Sequence, residues 1–172
     1  YTGCWGRVSA LSFNGNKIIT TGGGGAILTQ DEDLARQAKH LSTTAKEPHP
    51  WRYFHDKKGY NYRLPNINAA LGCAQLEQLP KFVEQKRNLS ARYKKEFNAY
   101  SGVKFFQEPE FAKSNYWLNV LLLDEEHGHH LESILKLCIS EGLMLRPAWV
   151  LLNELPMFKS CPQEIGRASC RE

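Results

Sequence analysis

The sequence predicts an α/β chain in two parts, and three features carry that reading: two short apolar strands flanking an Asn-Gly turn, two consecutive helices with apolar stripes, and a closing unit that mixes strands with a helix. Arg7 to Phe13 alternates polar and apolar residues, with Val8, Ala10 and Leu11 near Phe13, and Ala26 to Thr29 is a second apolar run. Asn14-Gly15 between them is a strong hairpin signal, so the stretch is expected to run strand, tight turn, strand. Asp31 is placed to cap a helix in which Leu34, Ala35, Ala38 and Leu41 recur at helical spacing, with Glu32 and Asp33 where the helix dipole favours acids. That helix is expected to end near Ser42.

From Thr43 to Pro65 no periodicity is evident, yet the stretch carries Trp51, Tyr53, Phe54, Tyr60 and Tyr62, too many aromatics for a disordered linker. A loop of this length inside a compact protein is usually functional. Asn66 opens a helix through Ile67, Ala70, Leu71, Ala74 and Leu79, and Pro80 suits the first turn of a second one with Phe82, Val83, Leu89, Tyr93 and Phe97 as its stripe. After Gly102, Val103 to Phe106 and Tyr116 to Leu123 read as strands, His129 to Glu141 as a helix stopped by Gly142, and Leu143 to Arg146 as a further strand. The expected organisation is a first domain portion over 1–79, a small α+β domain over 80–163 and a tail over 164–172.

Composition narrows the class. The 172 residues are 42% hydrophobic and 23% charged, an ordinary globular balance. The net charge of +4 is dispersed and forms no basic block, so no nucleic-acid partner is expected. No apolar run approaches the ~20 residues of a membrane span, so no membrane partner is expected either. Cys4, Cys73, Cys138, Cys161 and Cys170 are odd in number and never spaced as CxxC, which fits reduced thiols and a cytoplasmic location. The chain opens on Tyr1 without an initiator Met, and residues 164–172 can be encoded by a stretch resembling a sequencing-library adaptor. Both features lead us to expect a fragment of a longer protein with an artefactual tail.

The chemistry centres on Ser12-Phe13-Asn14-Gly15-Asn16-Lys17-Ile18-Ile19-Thr20-Thr21 and the glycines Gly22 to Gly25. Consecutive glycines carry a conformational-entropy cost and persist where a backbone turns sharply or approaches a ligand. Lys17 precedes the glycines instead of following them, which excludes a phosphate loop of the GxxxxGK type. Taken alone, the segment leaves open a surface lysine beside a flexible turn. His49, His55, His127, His129 and His130 lack a matching Cys or carboxylate set, so no metal site is expected.

The whole string closely resembles the cofactor-lysine segment of the DegT/DnrJ/StrS nucleotide-sugar aminotransferases, of the aspartate aminotransferase-like fold. Thr2-Gly3 with Trp5-Gly6 resembles its lead-in, and Gly59-Tyr60-Asn61-Tyr62-Arg63-Leu64-Pro65-Asn66-Ile67-Asn68-Ala69-Ala70-Leu71-Gly72 resembles the family's second signature. Arg146-Pro147-Ala148-Trp149 with Leu155-Pro156-Met157-Phe158 is similar to the carboxy-terminal loop of the bacillosamine- and legionaminic-type branch.

The resemblance implies the end of a pyridoxal-phosphate (PLP) transferase domain of fold type I, followed by a small α+β carboxy-terminal domain. It implies that Lys17 bonds covalently to PLP and acts as the catalytic base and acid, that the Ser12 hydroxyl meets the cofactor phosphate, and that Asn61 reaches that phosphate from a partner subunit. It further implies Arg63 as a contact for a substrate or donor carboxylate, while Trp51, Tyr53, Phe54 and Trp149 offer aromatic faces for stacking on a nucleobase or sugar. The implied activity is bacterial: transfer of an amino group from an amino acid, glutamate by expectation, to C4 of a UDP-4-keto-6-deoxy-N-acetylhexosamine, in a homodimer with a shared active site. Two alternatives stay open: a sugar dehydratase of the same fold, against which Lys17 argues because that branch carries histidine there, and a non-catalytic binding relative. The family draws its pyridine-nitrogen carboxylate and ring-stacking residue from chain before the lysine segment. This chain alone is therefore expected to be inactive.

Overall fold

The computed structural model describes residues 2–162, so the expected tail, 164–172, lies outside the described residues. Two compact units emerge. The first runs to Tyr100 and includes Phe105–Leu121; the second holds residues 101–104 and the described residues from Leu122 onward. The boundary expected between 79 and 80 falls in the first turn of a helix, Leu79–Phe97, that lies within the first unit.

In the first unit β1 (Ser9–Ser12) and β2 (Gly25–Leu28) pair antiparallel, with Ser9 opposite Leu28 and Ser12 opposite Gly25. The expected tight turn between them is corrected. The Lys17 N–H donates to the Asn14 carbonyl at 3.0 Å, as a local turn would, but the chain then continues through 18–24 before returning. Long-range bonds from Thr20 and Thr21, given below, hold this longer path against the local hairpin preference. At Gly25 a Cβ would lie 2.4 Å from the Leu11 carbonyl oxygen, inside any real contact distance. Gly25→Ala in the intact protein is therefore expected to part the strands and lower stability by about 1–3 kcal/mol, the usual cost of overpacking. A urea midpoint equal to that of the unsubstituted protein would contradict this.

The first helix, α1 (Glu32–Ser42), forms where the sequence places it, and the Asp31 carboxylate accepts from the N–H groups of Asp33 and Leu34, both at 3.1 Å. Arg7 donates to the same carboxylate at 2.7 Å, and that bond, followed by the Leu34 N–H, holds the carboxyl below its ordinary pKa. The stretch 43–65 has no regular element beyond isolated bridges of Thr43 with Asn61 and Lys46 with His55. Its aromatics stay in the open: Trp51 is 80% and Tyr53 81% exposed.

Gln78 alone separates α2 (Asn66–Glu77) from α3 (Leu79–Phe97), whose first turn takes Pro80 because no helical N–H partner is needed there. α2 carries apolar residues on all sides, and none of them is buried. A helix apolar all round belongs in an interior. α3 instead places Tyr93 against Phe97 and Phe105, with centroids 6.2 and 6.4 Å apart, and Phe105 is buried.

A second two-stranded sheet joins β3 (Val103–Phe105) and β4 (Leu121–Leu123). The strand expected over Tyr116 to Leu123 is thus shortened. Tyr116 sits at φ 46°, a left-handed conformation that no extended strand contains. In the second unit a 3-10 helix, Glu125–His130, leads into α4 (Leu131–Ser140), which is shorter than the expected helix, and Gly142 at φ 76° follows its end. The strand expected over Leu143 to Arg146 is absent among the described residues, where no edge pairs with it to satisfy its backbone. No helix among the described residues is long and apolar enough to cross a membrane. Cys4, Cys73, Cys138 and Cys161 are free thiols.

Candidate active site

The loop between β1 and β2 is anchored at both ends and at its middle. Phe13 N–H donates to Gly24 O, and Thr21 N–H to Phe13 O, each at 3.0 Å. The Thr20 hydroxyl donates to the same Phe13 carbonyl at 3.0 Å, and the Gly22 N–H to that hydroxyl at 2.9 Å. From α2, the Asn68 side-chain amide donates to Thr21 O, and Gln75 Oε1 accepts from Thr20 N–H at 3.3 Å. Thr21, at 3% exposure, is the buried pivot. Gly24 lies at φ 96° with Leu64 Cδ1 only 2.8 Å from where a Cβ would sit. The glycines therefore let the loop turn back and lie flat on the neck of α2, a structural use distinct from ligand contact.

Lys17 projects from this fixed loop. Its Nζ stands 3.8 Å from the centroid of the Trp117 ring, and the Trp117 indole N–H donates to the carbonyl of Asn16 at 2.6 Å. No carboxylate pairs with Lys17 among the described residues. A cation on a partly exposed indole face gains about 0.5–1 kcal/mol, less than a buried ion pair, so the amine is held loosely and stays available.

The loop bearing Trp117 is itself clamped. Arg87 of α3 reaches both oxygens of Glu108, one at 3.0 Å, and also donates to Ser114 O at 2.6 Å. Glu108 in turn accepts from the Ser114 N–H, and its own N–H donates to the Tyr116 hydroxyl at 3.2 Å. The Arg87 guanidinium, then the Ser114 N–H, lower the Glu108 carboxyl to about 2. It remains ionised, and the clamp intact, across any physiological pH.

The other expected site residues are placed as follows. Ser12 ends β1 with an exposed hydroxyl whose oxygen accepts only a long 3.4 Å bond from Asn14 N–H. Asn61 Oδ1 accepts from Arg63 at 3.3 Å, and Arg63 donates also to Thr43 O at 3.0 Å, so these two side chains form one small cluster beside the end of α1. No hydrogen bond or ion pair joins that cluster to Lys17 among the described residues. Trp149 lies in the second unit and is 75% exposed. Trp117, Arg87 and Glu108 were not singled out by the sequence. A tryptophan opening an apolar run was the available signal, but it reads equally as the start of a strand.

His127, His129 and His130 occupy the short 3-10 helix before α4. A different group, His40, Glu47 and Asp56, places its donor atoms within 4.8 Å of one another. His40 Nε2 lies 2.5 Å from Asp56 Oδ1, and that contact chiefly lowers the Asp56 carboxyl. The pair is explained by its own hydrogen bond.

The profile of the DegT/DnrJ/EryC1/StrS aminotransferase family matches residues 1–169. The chain is 41% identical over 157 residues to EpsN of Bacillus subtilis (strain 168), provisionally named a pyridoxal phosphate-dependent aminotransferase, covering 91% of this chain and 40% of the relative. It is 36% identical to the GDP-perosamine synthase of Escherichia coli O157:H7, covering 92% of this chain and 42% of that protein. The crystal structure of the aminotransferase TlmJ from Streptoalloteichus hindustanus superimposes with a TM-score of 0.83 at 23% identity, over 91% of this chain and 42% of that one. The chain thus spans about two-fifths of the length of the curated relatives it matches. A solved structure of the same fold holds bound PLP. The chemistry of two residues is compatible with that cofactor: Lys17 is a primary amine outside any ion pair among the described residues, and Ser12 carries an exposed hydroxyl.

Proposed function

Because the chain belongs to the DegT/DnrJ/EryC1/StrS aminotransferase family, whose cofactor is PLP, we propose that the intact protein transfers an amino group from an amino acid, glutamate by preference, to C4 of a UDP-4-keto-6-deoxy-N-acetylhexosamine. The observation that carries the reading is the presentation of Lys17: a backbone pinned to α2, a flexible stem, and an amine with no carboxylate partner among the described residues. Bound PLP supplies the electron sink. Lys17 Nζ would take a proton from the donor α-carbon and return it to the cofactor carbon two bonds away, which a neutral amine on a mobile stem can do and an ion-paired ammonium cannot. Ser12 Oγ and Asn61 Nδ2 donate to phosphate oxygens and so fix the distance between phosphate and amine. The Arg63 guanidinium, planar and already braced on Thr43 O, orients a carboxylate.

Asn61 serves a partner subunit's site in this reading, within a cytoplasmic homodimer. The open aromatics of 43–65 and the uncovered α2 support it, because both need apolar cover that the described residues do not provide. For the intact protein we propose the division at 79/80, with a small α+β domain after it.

The UDP preference rests on Arg146 to Trp149 and on Leu155 to Phe158. Trp149, open at 75%, is available to stack on a base or sugar ring. The relative named for a GDP-linked sugar makes GDP the competing outcome. In competition assays of the intact enzyme with glutamate as donor, UDP-linked 4-keto-6-deoxy-N-acetylhexosamine is expected to be aminated faster than GDP- or dTDP-linked keto sugars. Preference for either of those would remove the UDP assignment and leave the aminotransferase reading standing.

A further inference from the structure

We propose that Trp117 is the positioning residue for Lys17: its indole N–H fixes the loop one residue before the lysine, and its ring face receives the amine whenever that amine is not bonded to the cofactor. The proposal rests on the assignment of Lys17 made above.

One side chain, 101 residues from Asn16 in sequence, makes both contacts: 2.6 Å from Nε1 to Asn16 O, and 3.8 Å from the ring centroid to Lys17 Nζ. The Lys17 N–H is already spent on Asn14 O at 3.0 Å. With the peptide unit fixed on both sides, the remaining freedom at residue 17 is in the lysine stem. The stem then has one defined swing, with the ring as its resting end. Trp117 can set that end because its own backbone is held. Its N–H donates to Asn115 Oδ1 at 3.0 Å, the preceding Tyr116 N–H donates to Ser114 Oγ at 3.0 Å, and the Arg87–Glu108 clamp holds Ser114 at both its N–H and its carbonyl.

A resting site made of an aromatic face also suits a group that must be charged at one stage and neutral at the next. A carboxylate in the same place would bind the ammonium far more strongly than the neutral amine and so oppose its departure. An indole face discriminates between them weakly.

The test uses the cofactor-free intact protein. Reductive 13C-methylation keeps the lysine charge, and the Lys17 methyl resonance is identified by its loss in Lys17→Arg. It is expected upfield of the exposed lysines, because it lies over an indole ring. Trp117→Leu should return it to the exposed-lysine position, and Trp117→Phe, which keeps a face but loses the bond to Asn16, should leave an intermediate shift. Unlabelled protein gives a second readout: the rate of covalent PLP capture, followed by absorbance, should fall roughly tenfold in Trp117→Leu, which loses both the ring face and the bond to Asn16, and less in Trp117→Phe. Circular dichroism checks that each variant folds, and Trp117→Phe decides the question if Trp117→Leu does not. A Lys17 resonance at the exposed position in the unsubstituted protein overturns the proposal, as does capture at an unchanged rate in Trp117→Phe with its resonance unmoved. If PLP is found on a different lysine, the Lys17 assignment fails and the proposal with it. If PLP is on Lys17 and the resonance is unshifted, the positioning role alone fails.

Discussion

Borohydride reduction of the intact, PLP-loaded protein is expected to fix the cofactor onto Lys17 alone, and Lys17→Ala is expected to abolish the visible cofactor band and lower turnover by about 10³-fold or more. Of the other lysines, two are taken up in ion pairs and one shares the aromatic setting of Lys17. Lys104 is paired with Asp124 at 3.2 Å and Lys136 with Glu132 at 2.8 Å. Lys46 is the real rival: it too rests on an aromatic face, 3.9 Å from the Tyr53 centroid. What separates them is the segment, since only Lys17 lies in the stretch that resembles the family's cofactor-lysine segment. Lys17 stands on a loop bonded to α2 at Thr20 and Thr21, whereas Lys46 lies in the stretch 43–65, held there by its bridge to His55. Covalent catalysis needs the amine returned to one place on every cycle, which the first environment secures. Peptide mapping of the reduced protein settles the matter, since an adduct on Lys46 or any other lysine would displace Lys17 from the site.

How much of this was legible beforehand follows the range of the forces involved. Helix α1 was readable to within a residue because its cap is local: Asp31 and the N–H groups it accepts from lie within three positions. The α2–α3 bend was readable for the same reason, through Pro80. The loop between β1 and β2 was misjudged as a tight turn because its course is decided by Asn68 and Gln75, whose bonds to Thr21 and Thr20 span 47 and 55 residues. Trp117 and the Arg87–Glu108 clamp were hidden likewise, since an arginine in a helix and a glutamate in a loop have no periodicity that points one at the other. Leu143 to Arg146 reads as a strand in sequence, but a strand is defined by its neighbour, and none stands beside it among the described residues. Lys17 itself came from resemblance to a family, and composition alone would have left it on the surface.

Mixing two disabled variants is expected to restore activity, and this is the sharpest consequence of placing Asn61 at a partner's site. Within one chain Asn61 and Arg63 form a cluster that no bond connects to Lys17 among the described residues. In a two-fold dimer each contact occurs twice. A heterodimer of Lys17→Ala with Asn61→Asp then combines an intact Lys17 with an intact Asn61 at one site, and gathers both defects at the other. Random co-refolding makes half of the dimers mixed, each with one good site of two, so about one quarter of the unsubstituted activity should return. Aspartate is the useful substitution because the added carboxylate repels the phosphate and also competes for Arg63, which now donates to Asn61 at 3.3 Å. Both effects disable the variant more fully than loss of one neutral hydrogen bond would. Were the lysine and asparagine of one chain to serve the same site, no dimer in the mixture would hold an intact pair, and activity would stay at the level of the separate variants. That result with verified heterodimers, or an active protein sedimenting as a monomer, would rule out the shared site.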